Sequence, residues 1–199
     1  MEAFEIGHVL RASTEGFTFG TRSQDVLYPT FGSFVQSYNQ HSNDDLTIIG
    51  VITSIKIQDD PLVRQLIMAS DMNPAAVRDQ RVNRLVPVEI DVLSIAYVQD
   101  ARLVNSLPPR PPLSLDPVML CNTDQIYVIT QRVDFFRLIL SASGVPNNIE
   151  LLAAVIRSAA DARPDEERMD FLINAGRHLA GHLSNDLQML KHALQLIRP

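Results

Sequence analysis

The longest alternating pattern of apolar residues in the chain lies over residues 46–57. One face of the strand that it predicts carries five residues at period two, namely Ile49, Val51, Thr53, Ile55 and Ile57. Ile48 and Ile52 cover the other face, so we expect a central and largely buried strand. Asp60 and Pro61 then predict the start of a helix, because apolar residues recur at helical spacing over residues 62–69.

The rest of the first half is also rich in strand patterns. We predict strands over residues 4–12, 16–22, 31–38 and 85–98, with a hairpin turn between the first two. Residues 40–45 and 70–84 are polar and predict loops or excursions from the sheet. In the strand over 85–98 the apolar positions change face near Val92 and Leu93, which predicts a bulge or bend there. Bent strands of this kind are typical of small barrels.

A proline-rich segment at residues 107–117 marks the clearest boundary in the chain. Proline removes backbone donors and stiffens the chain, so we interpret this segment as an extended strap. The alternative is a polyproline ligand for a recognition module, since residues 108–112 read PPRPP.

After this strap the pattern becomes helical. We predict a last short strand at residues 125–130 and helices over residues 133–143 and 147–162, the second opened by an Asn147–Glu150 capping box. A third helix opens at Pro164 and a fourth is capped by Ser184. The apolar positions that we assign to the core of this bundle, rather than to a docking groove, are Met169, Leu172, Ile173 and Gly176, and Leu187, Leu190, Leu194 and Ile197. The predicted class is α+β, with a barrel and strap at residues 1–130 and a helical domain at residues 131–199.

Composition narrows the classes of function. The net charge of −6 argues against binding nucleic acid by bulk attraction. The single cysteine, Cys121, permits no internal disulfide and fits a reducing compartment. The first ten residues show no secretory signal, and no apolar run reaches the length of a membrane span. We therefore expect a cytoplasmic protein without a membrane segment.

Sequence motifs for catalysis are missing from the chain. Neither lysine, Lys56 nor Lys191, follows the glycines of a phosphate-binding loop, and no dinucleotide, serine-hydrolase or zinc-protease motif occurs. His178 and His182 are spaced to face one metal ion, but no third ligand is evident, and surface histidines are the simpler interpretation. We assign no catalytic, cofactor-binding or metal-binding residue.

Three further candidates have simpler structural explanations. Helix capping explains Asp60 better than an acid–base pair with Asp59, and the pair at residues 44–45 fits solvated loop charge. Cys121 fits a small buried residue better than a nucleophile.

Two glycines interrupt one predicted helix and indicate close packing. Gly176 and Gly181 each cost a helix about 1 kcal/mol relative to alanine, which a close helix–helix contact would justify. The neighbour of Gly176 is either the last helix of the same chain, which we favour, or a second copy.

Several short segments resemble the HAS barrel, the β-barrel shared by HerA-type DNA translocases and the α and β subunits of ATP synthase. They are Ile6-Gly7-His8-Val9, Phe31-Gly32-Ser33-Phe34-Val35, Gly50-Val51-Ile52, Val88-Glu89-Ile90-Asp91-Val92-Leu93 and the strap from Pro108-Pro109 to Pro117-Val118. The resemblance covers about residues 3–130 and implies a docking module, because the barrel of that family mediates ring assembly and contact with the NurA nuclease. It transfers no catalytic residue, since a helical region stands where those translocases carry their ATPase core.

We therefore predict a non-enzymatic interaction or assembly module, an adaptor for a HerA-type ATPase or nuclease complex, with homo-oligomers allowed and no cofactor. The alternative is a barrel that binds single-stranded nucleic acid by stacking bases on its aromatic residues. The residues that could form such a platform are Phe17, Phe19, Phe31, Phe34 and Tyr38. The acidic charge disfavours this alternative, and an enzyme with an unrecognised site is a third interpretation.

Overall fold

The computed structural model describes residues 4–22, 29–38, 45–57, 68, 87–145 and 147–198. The helix predicted at residues 62–69, its capping residue Asp60 with the neighbouring Asp59, and the polar segment at 70–84 fall outside the described residues, apart from the exposed Met68.

Seven strands of the described chain form one antiparallel sheet. They are β1 (Phe4–Ala12), β2 (Gly16–Arg22), β3 (Phe34–Tyr38), β4 (Thr47–Ile57), β5 (Pro87–Gln99), β6 (Arg102–Val104) and β7 (Pro117–Leu120). Their order is β2-β1-β7-β3-β4-β5-β6, and β2 also pairs with β5. The pairing of β2 with β5 closes six strands into a barrel. The short strand β6 pairs with the C-terminal end of β5, beyond the part that pairs with β2. Closure leaves the ring of strands without a free edge.

The predicted first hairpin is confirmed residue for residue. β1 and β2 have the expected bounds, and the turn between them is closed by a hydrogen bond from the Ser13 amide to the Gly16 carbonyl at 2.8 Å. The third strand begins at Phe34, three residues later than predicted. Gly32, just before it, has a φ of +83°, and a Cβ there would lie 2.6 Å from the Cβ of Ala154. A glycine is needed at this position both for the backbone conformation and for the close approach of a helix.

β4 is buried on both faces over residues 48–52, as the pattern predicts, but Ile57 at its end is 69% exposed. Ile55 was predicted on the same face as Ile49 and Val51, but it packs against the barrel interior, because a register shift lies between Ile52 and Ser54. Ile48 and Ile52 point into the barrel, whereas Ile49 and Val51 point outward and are also buried. The filled interior is a continuous apolar cluster, made by Ile6, Val9, Phe17, Phe19, Val35, Leu46, Ile48, Ile52, Val88, Ile90, Val92 and Val118.

The change of apolar face in β5 has a different cause from the predicted bulge. Val88, Ile90 and Val92 face the interior, while Leu93 and Ile95 face outward in unbroken alternation. The outer face becomes apolar at Leu93 because helices cover the wall from there on. The pairing of β5 with β4 has two register shifts, one where Ile52 pairs with Val92 and Ser54 with Asp91, and one where Gly50 pairs with Ser94 and Ile49 with Ala96. The first lies next to the predicted position, but its extra residue, Thr53, belongs to β4.

The proline-rich segment runs along the barrel, as expected for a strap. It follows β6 and returns to β1, where the Leu115 amide donates to the Val9 carbonyl at 2.8 Å and the Val9 amide donates to the Asp116 carbonyl at 3.0 Å. Pro108 and Pro112 are buried. The strap leads into β7, which pairs with β1 on one side and with β3 on the other.

Five helices follow in the described part of the chain: α1 (Thr123–Ile129), α2 (Phe136–Ser141), α3 (Asn148–Asp161), α4 (Asp165–His182) and α5 (Leu187–Leu196). The strand predicted at residues 125–130 was wrong, because these residues form α1. The Asn122 side chain accepts from the Gln125 amide and the Gln125 side chain accepts from the Asn122 amide, both at 2.9 Å. This capping box starts a helix where β-branched residues predicted a strand.

The other helices keep the predicted order with shifted ends. α2 is shorter than predicted, and Asn147 precedes α3 without a side-chain capping bond. Pro164 precedes α4 as expected. Asp186 rather than Ser184 caps α5, because its carboxylate accepts from the Met189 amide at 2.9 Å.

A second apolar cluster joins the outer barrel wall to the helices. Phe34, Ile49 and Val51 of the wall pack in one buried set with residues of α1–α5. The ring of Phe135, before α2, meets Phe34 edge-on at 6.4 Å between ring centroids. The α+β class and the order of barrel then helices are thus confirmed. The division into separate domains at residue 130 stays a prediction.

Candidate interaction surface

Cys121, the candidate nucleophile, lies at the end of β7 inside the cluster between barrel and helices. Burial raises the pKa of its thiol to about 12, so the thiolate is scarcely populated near neutral pH. Its position fits the packing role that the sequence favours.

His178 and His182 lie one turn apart on the exposed side of α4. Asn174, Arg177 and Gly181 surround them. Within the described ranges, no group of three or more histidine, cysteine, aspartate or glutamate side chains is placed to hold a metal ion. Asp45 is exposed, while its neighbour Asp44 lies outside the described residues.

The aromatic residues of the nucleic-acid alternative do not form a surface platform. Phe17 and Phe19 fill the barrel interior, and Phe34 is buried against the helices. Phe31 is 43% exposed and Tyr38 is half-buried. Three of the five rings are therefore closed to stacking with bases.

A cleft of about 480 Å³ lies between the β1–β2 hairpin, β5 and the end of α2. Its charged wall is centred on Asp91, whose carboxylate accepts from Thr18 Oγ1 and from Lys56 Nζ, each at 2.6 Å. Arg11 Nη2 lies 3.0 Å from Glu89 Oε2 and 3.8 Å from Asp91 Oδ1. Each of these four charged groups is thus engaged with another.

The balance of these contacts sets the protonation state of Asp91. Burial alone would raise its pKa, but the hydrogen bonds from Lys56 and Thr18 and the charges of Lys56 and Arg11 outweigh burial and lower it. The carboxylate is therefore ionised at neutral pH, where it acts as a fixed charge partner on the barrel wall.

A buried arginine forms contacts with three helices, α1, α3 and α4. Arg163, between α3 and α4, donates to Thr130 Oγ1 at 2.9 Å, to the Thr130 carbonyl at 2.8 Å and to the Ala159 carbonyl. Its guanidinium lies 3.6 Å from the centroid of the Phe171 ring. Burial lowers the pKa of Arg163, but an arginine side chain stays charged at neutral pH. The group has a structural role that the sequence pattern did not reveal.

An uncovered apolar side runs along α4. Met169 and Ile173 are 52% and 46% exposed, Gly176 is half-buried and Ala180 is exposed. These four residues are spaced by four, three and four positions, so they follow one side of the helix. The buried side of α4 is instead formed by Phe171, Leu172, Ala175 and Leu179.

The matching side of α5 is also uncovered. Leu187 and Leu194 are 73% and 39% exposed, and Leu190 is half-buried. Their spacing of three and four positions places them on one side of α5. A Cβ at Gly176 would lie 3.4 Å from Leu194 Cδ2, so this side of α5 borders the exposed side of α4. We call the seven residues Met169, Ile173, Gly176, Ala180, Leu187, Leu190 and Leu194 the α4/α5 strip.

The strip corrects part of the predicted bundle core. Met169, Ile173, Leu187 and Leu194 were expected in that core but are exposed. Leu172 and Ile197 are buried as expected. The neighbour of Gly176 is the last helix of the same chain, as we favoured, but a Cβ there would meet Leu194 Cδ2 at 3.4 Å, an ordinary van der Waals distance, so this contact does not require a glycine. Gly181 has nothing within 4 Å of a Cβ position, so close packing does not explain it.

Charged residues border the strip. Glu166 and Asp170 lie on the N-terminal half of α4, and Arg177 lies on its C-terminal half. All three are exposed, and none forms an ion pair with another residue of the described chain. On α5 the exposed Lys191 adds a positive charge. The apolar centre and charged border are features of protein interfaces.

Comparisons with known proteins identify no family for this chain. No protein-family model matches the chain, and no curated protein matches it significantly. The fold defines a small closed β-barrel with C-terminal helices packed on its wall. No helix of the described ranges is long and apolar enough to cross a membrane.

Proposed function

We propose that this protein is a non-enzymatic, cytoplasmic interaction module, in which the α4/α5 strip is a contact surface for protein. The carrying observation is the exposure of four large apolar side chains along two adjoining helix faces, of which Leu187 is 73% exposed. An exposed apolar strip of this kind costs free energy in water and is typical of a surface that a partner covers.

The chemistry of the described side chains supports an interaction role over catalysis. Cys121 is buried and protonated, and Asp91 is held as an ionised partner of Lys56. The histidines of α4 lie on the open helix surface. A catalytic site would instead bring a reactive group and its proton acceptor together in a pocket.

The resemblance to the HAS barrel supplies the kind of assembly. It supports an adaptor for a HerA-type ATPase or a NurA-type nuclease, since the barrel of that family is a docking module. The burial of Phe17, Phe19 and Phe34 supports this proposal over the single-stranded nucleic-acid alternative, which needs such rings at the surface.

A binding measurement tests the proposal. Purified protein would be titrated onto an immobilised HerA-type ATPase and a NurA-type nuclease from the same organism, and onto itself. We expect binding in at least one arm, weakened by Ile173→Glu and not by Val128→Glu, which changes an equally exposed residue of α1 (53% exposed). No binding in any arm, or equal loss in both variants, would overturn the proposal.

The same preparation tests the non-enzymatic part. We expect no magnesium-dependent ATP hydrolysis above the buffer background, because neither lysine follows a phosphate-binding glycine loop. Turnover that survives repurification and is lost on mutation of this chain would contradict the expectation.

A further inference from the structure

We propose that the occupant of the α4/α5 strip is a second copy of this chain, with the two α4 helices antiparallel across a two-fold axis near Ile173. This inference rests on the proposed function, since it takes the strip as a protein contact and names the partner. It goes further by fixing the orientation of that partner.

The shape of the strip suits a helix of its own kind. From Met169 to Ala180 the exposed side of α4 extends about 16 Å, within a helix of about 27 Å. Gly176, near the middle, carries no side chain, and the large residues Met169 and Ile173 lie only on its N-terminal side. In an antiparallel pair the large residues of one α4 meet the small residues Gly176 and Ala180 of the other. Large side chains then fill the space that small ones leave.

The charges of α4 distinguish the two orientations. The exposed acidic residues of its first half include Asp165, Glu166 and Asp170, beside one arginine, Arg168, which pairs with Asp165. After Asp170 the helix carries Arg177 and no acidic residue. A parallel pair would set acidic half against acidic half. An antiparallel pair sets Asp170 of each copy against Arg177 of the other, and like charges in contact cost free energy while opposite charges favour docking.

The position of Asp170 and Arg177 on the helix fits this pairing. They are seven residues apart, so they lie on one flank of α4, beside Ile173. In antiparallel helices a flank of one helix faces the same flank of the other. The midpoint between Asp170 and Arg177 is next to Ile173, so a two-fold axis there brings both pairs together at once.

α5 adds a charge of the required sign. Leu194 lies beside Gly176, since a Cβ there would be 3.4 Å from Leu194 Cδ2. Lys191 precedes Leu194 by three residues in a helix that follows α4 after a short turn. Lys191 therefore lies beside the basic half of α4 in its own copy. In the antiparallel pair that half faces the acidic half of the partner, so Lys191 reinforces the same arrangement.

Sedimentation equilibrium of the full chain over a range of concentrations tests the existence of the dimer. We expect a mass approaching twice the 22.2 kDa of one chain. Ile173→Glu should raise the dimer dissociation constant at least about tenfold, as expected for a buried apolar residue at the centre of an interface. Val128→Glu should leave the constant unchanged. Thermal melts of both variants establish that the monomer stays folded.

A charge swap tests the orientation. Asp170→Arg and Arg177→Glu should each raise the dissociation constant about tenfold, and the double variant should restore it to within a few-fold of wild type. Glu15→Lys, on the β1–β2 turn, carries a matched charge change outside α4 and α5 and should have no effect. If the double variant loses as much dimerisation free energy as the two single variants together, the antiparallel pairing is overturned.

The remaining outcomes separate this inference from the proposed function. A chain that stays monomeric at every concentration, yet binds a different protein in a way that Ile173→Glu abolishes, would overturn the dimer and leave the proposed function standing. A dimer that is indifferent to Ile173→Glu and to the charge changes would overturn the inference. If Ile173→Glu affects neither self-association nor binding to another protein, both proposals fail.

Discussion

Replacement of Arg163 by methionine removes the guanidinium and keeps most of the apolar stem. In the structure Arg163 is 8% exposed and contacts two carbonyls at the ends of helices, those of Thr130 after α1 and Ala159 in the last turn of α3. Carbonyls at these positions lack amide partners within their own helices. The positive charge of Arg163 also complements the negative end of each helix.

The expected loss follows from what the substitution leaves unpaired. Two buried carbonyls lose their donor at a cost of about 1 kcal/mol each, the lower end of the range for buried groups. The contact of the guanidinium with the Phe171 ring, at 3.6 Å, adds about 1 kcal/mol. The Thr130 hydroxyl adds little, because it also donates to the Ile126 carbonyl at 2.7 Å. Arg163→Met should therefore lower the free energy of unfolding by about 3 kcal/mol.

Urea unfolding followed by circular dichroism measures this change as a lower midpoint at an unchanged slope. Arg137→Met is the matched control, because Arg137 is exposed and donates one hydrogen bond to the Asn105 carbonyl at 3.1 Å. We expect the control to cost less than about 1 kcal/mol. An Arg163→Met variant no less stable than this control would refute the assigned role of the buried guanidinium.

Three further outcomes are expected. Asp91→Asn should lower the free energy of unfolding at neutral pH. The difference from wild type should shrink as the pH falls below about 4, because a lowered pKa stabilises the fold only while the carboxylate is ionised. A difference in the free energy of unfolding that does not vary with pH would contradict this. Gly181→Ala should raise the free energy of unfolding by about 0.5–1 kcal/mol, since a Cβ meets nothing within 4 Å, and a lower melting temperature would count against it. Barrel and helices share one apolar cluster, so hydrogen exchange should show them unfolding together, against the predicted division at residue 130; two separate unfolding transitions would support that division instead.

The strands were predictable because their side chains face two fixed environments. The predicted bounds of β1 and β2 agree with the structure, and in β2 Phe17 and Phe19 alternate into the barrel interior. In β1 the buried residues Ile6 and Val9 are three positions apart, because register shifts interrupt its pairing with both neighbours. In β5 the outer face changes environment partway along, from solvent at Glu89 to helices at Leu93. Alternation in the sequence shows such a change of face, but a bulge and a change of cover produce the same pattern.

The helix α1 was missed because its residues favour a strand. Ile126, Val128 and Ile129 are β-branched, and intrinsic preference points away from a helix. The deciding signal was the short spacing from Asn122 to Gln125, whose reciprocal hydrogen bonds satisfy free amides at the helix start. Local capping and tertiary contacts together outweighed propensity.

The α4/α5 strip could not be predicted, because a periodic pattern identifies the apolar sides of a helix without showing which of them is covered. α4 carries one apolar side around Leu172 and Leu179, which α3 and α5 bury, and a second around Ile173, which they leave open. A helix in a small bundle has neighbours on only part of its circumference, so its second apolar side is buried only if another element arrives. In the described chain no such element reaches Ile173, and the antiparallel second copy is the partner whose shape and charges match that side.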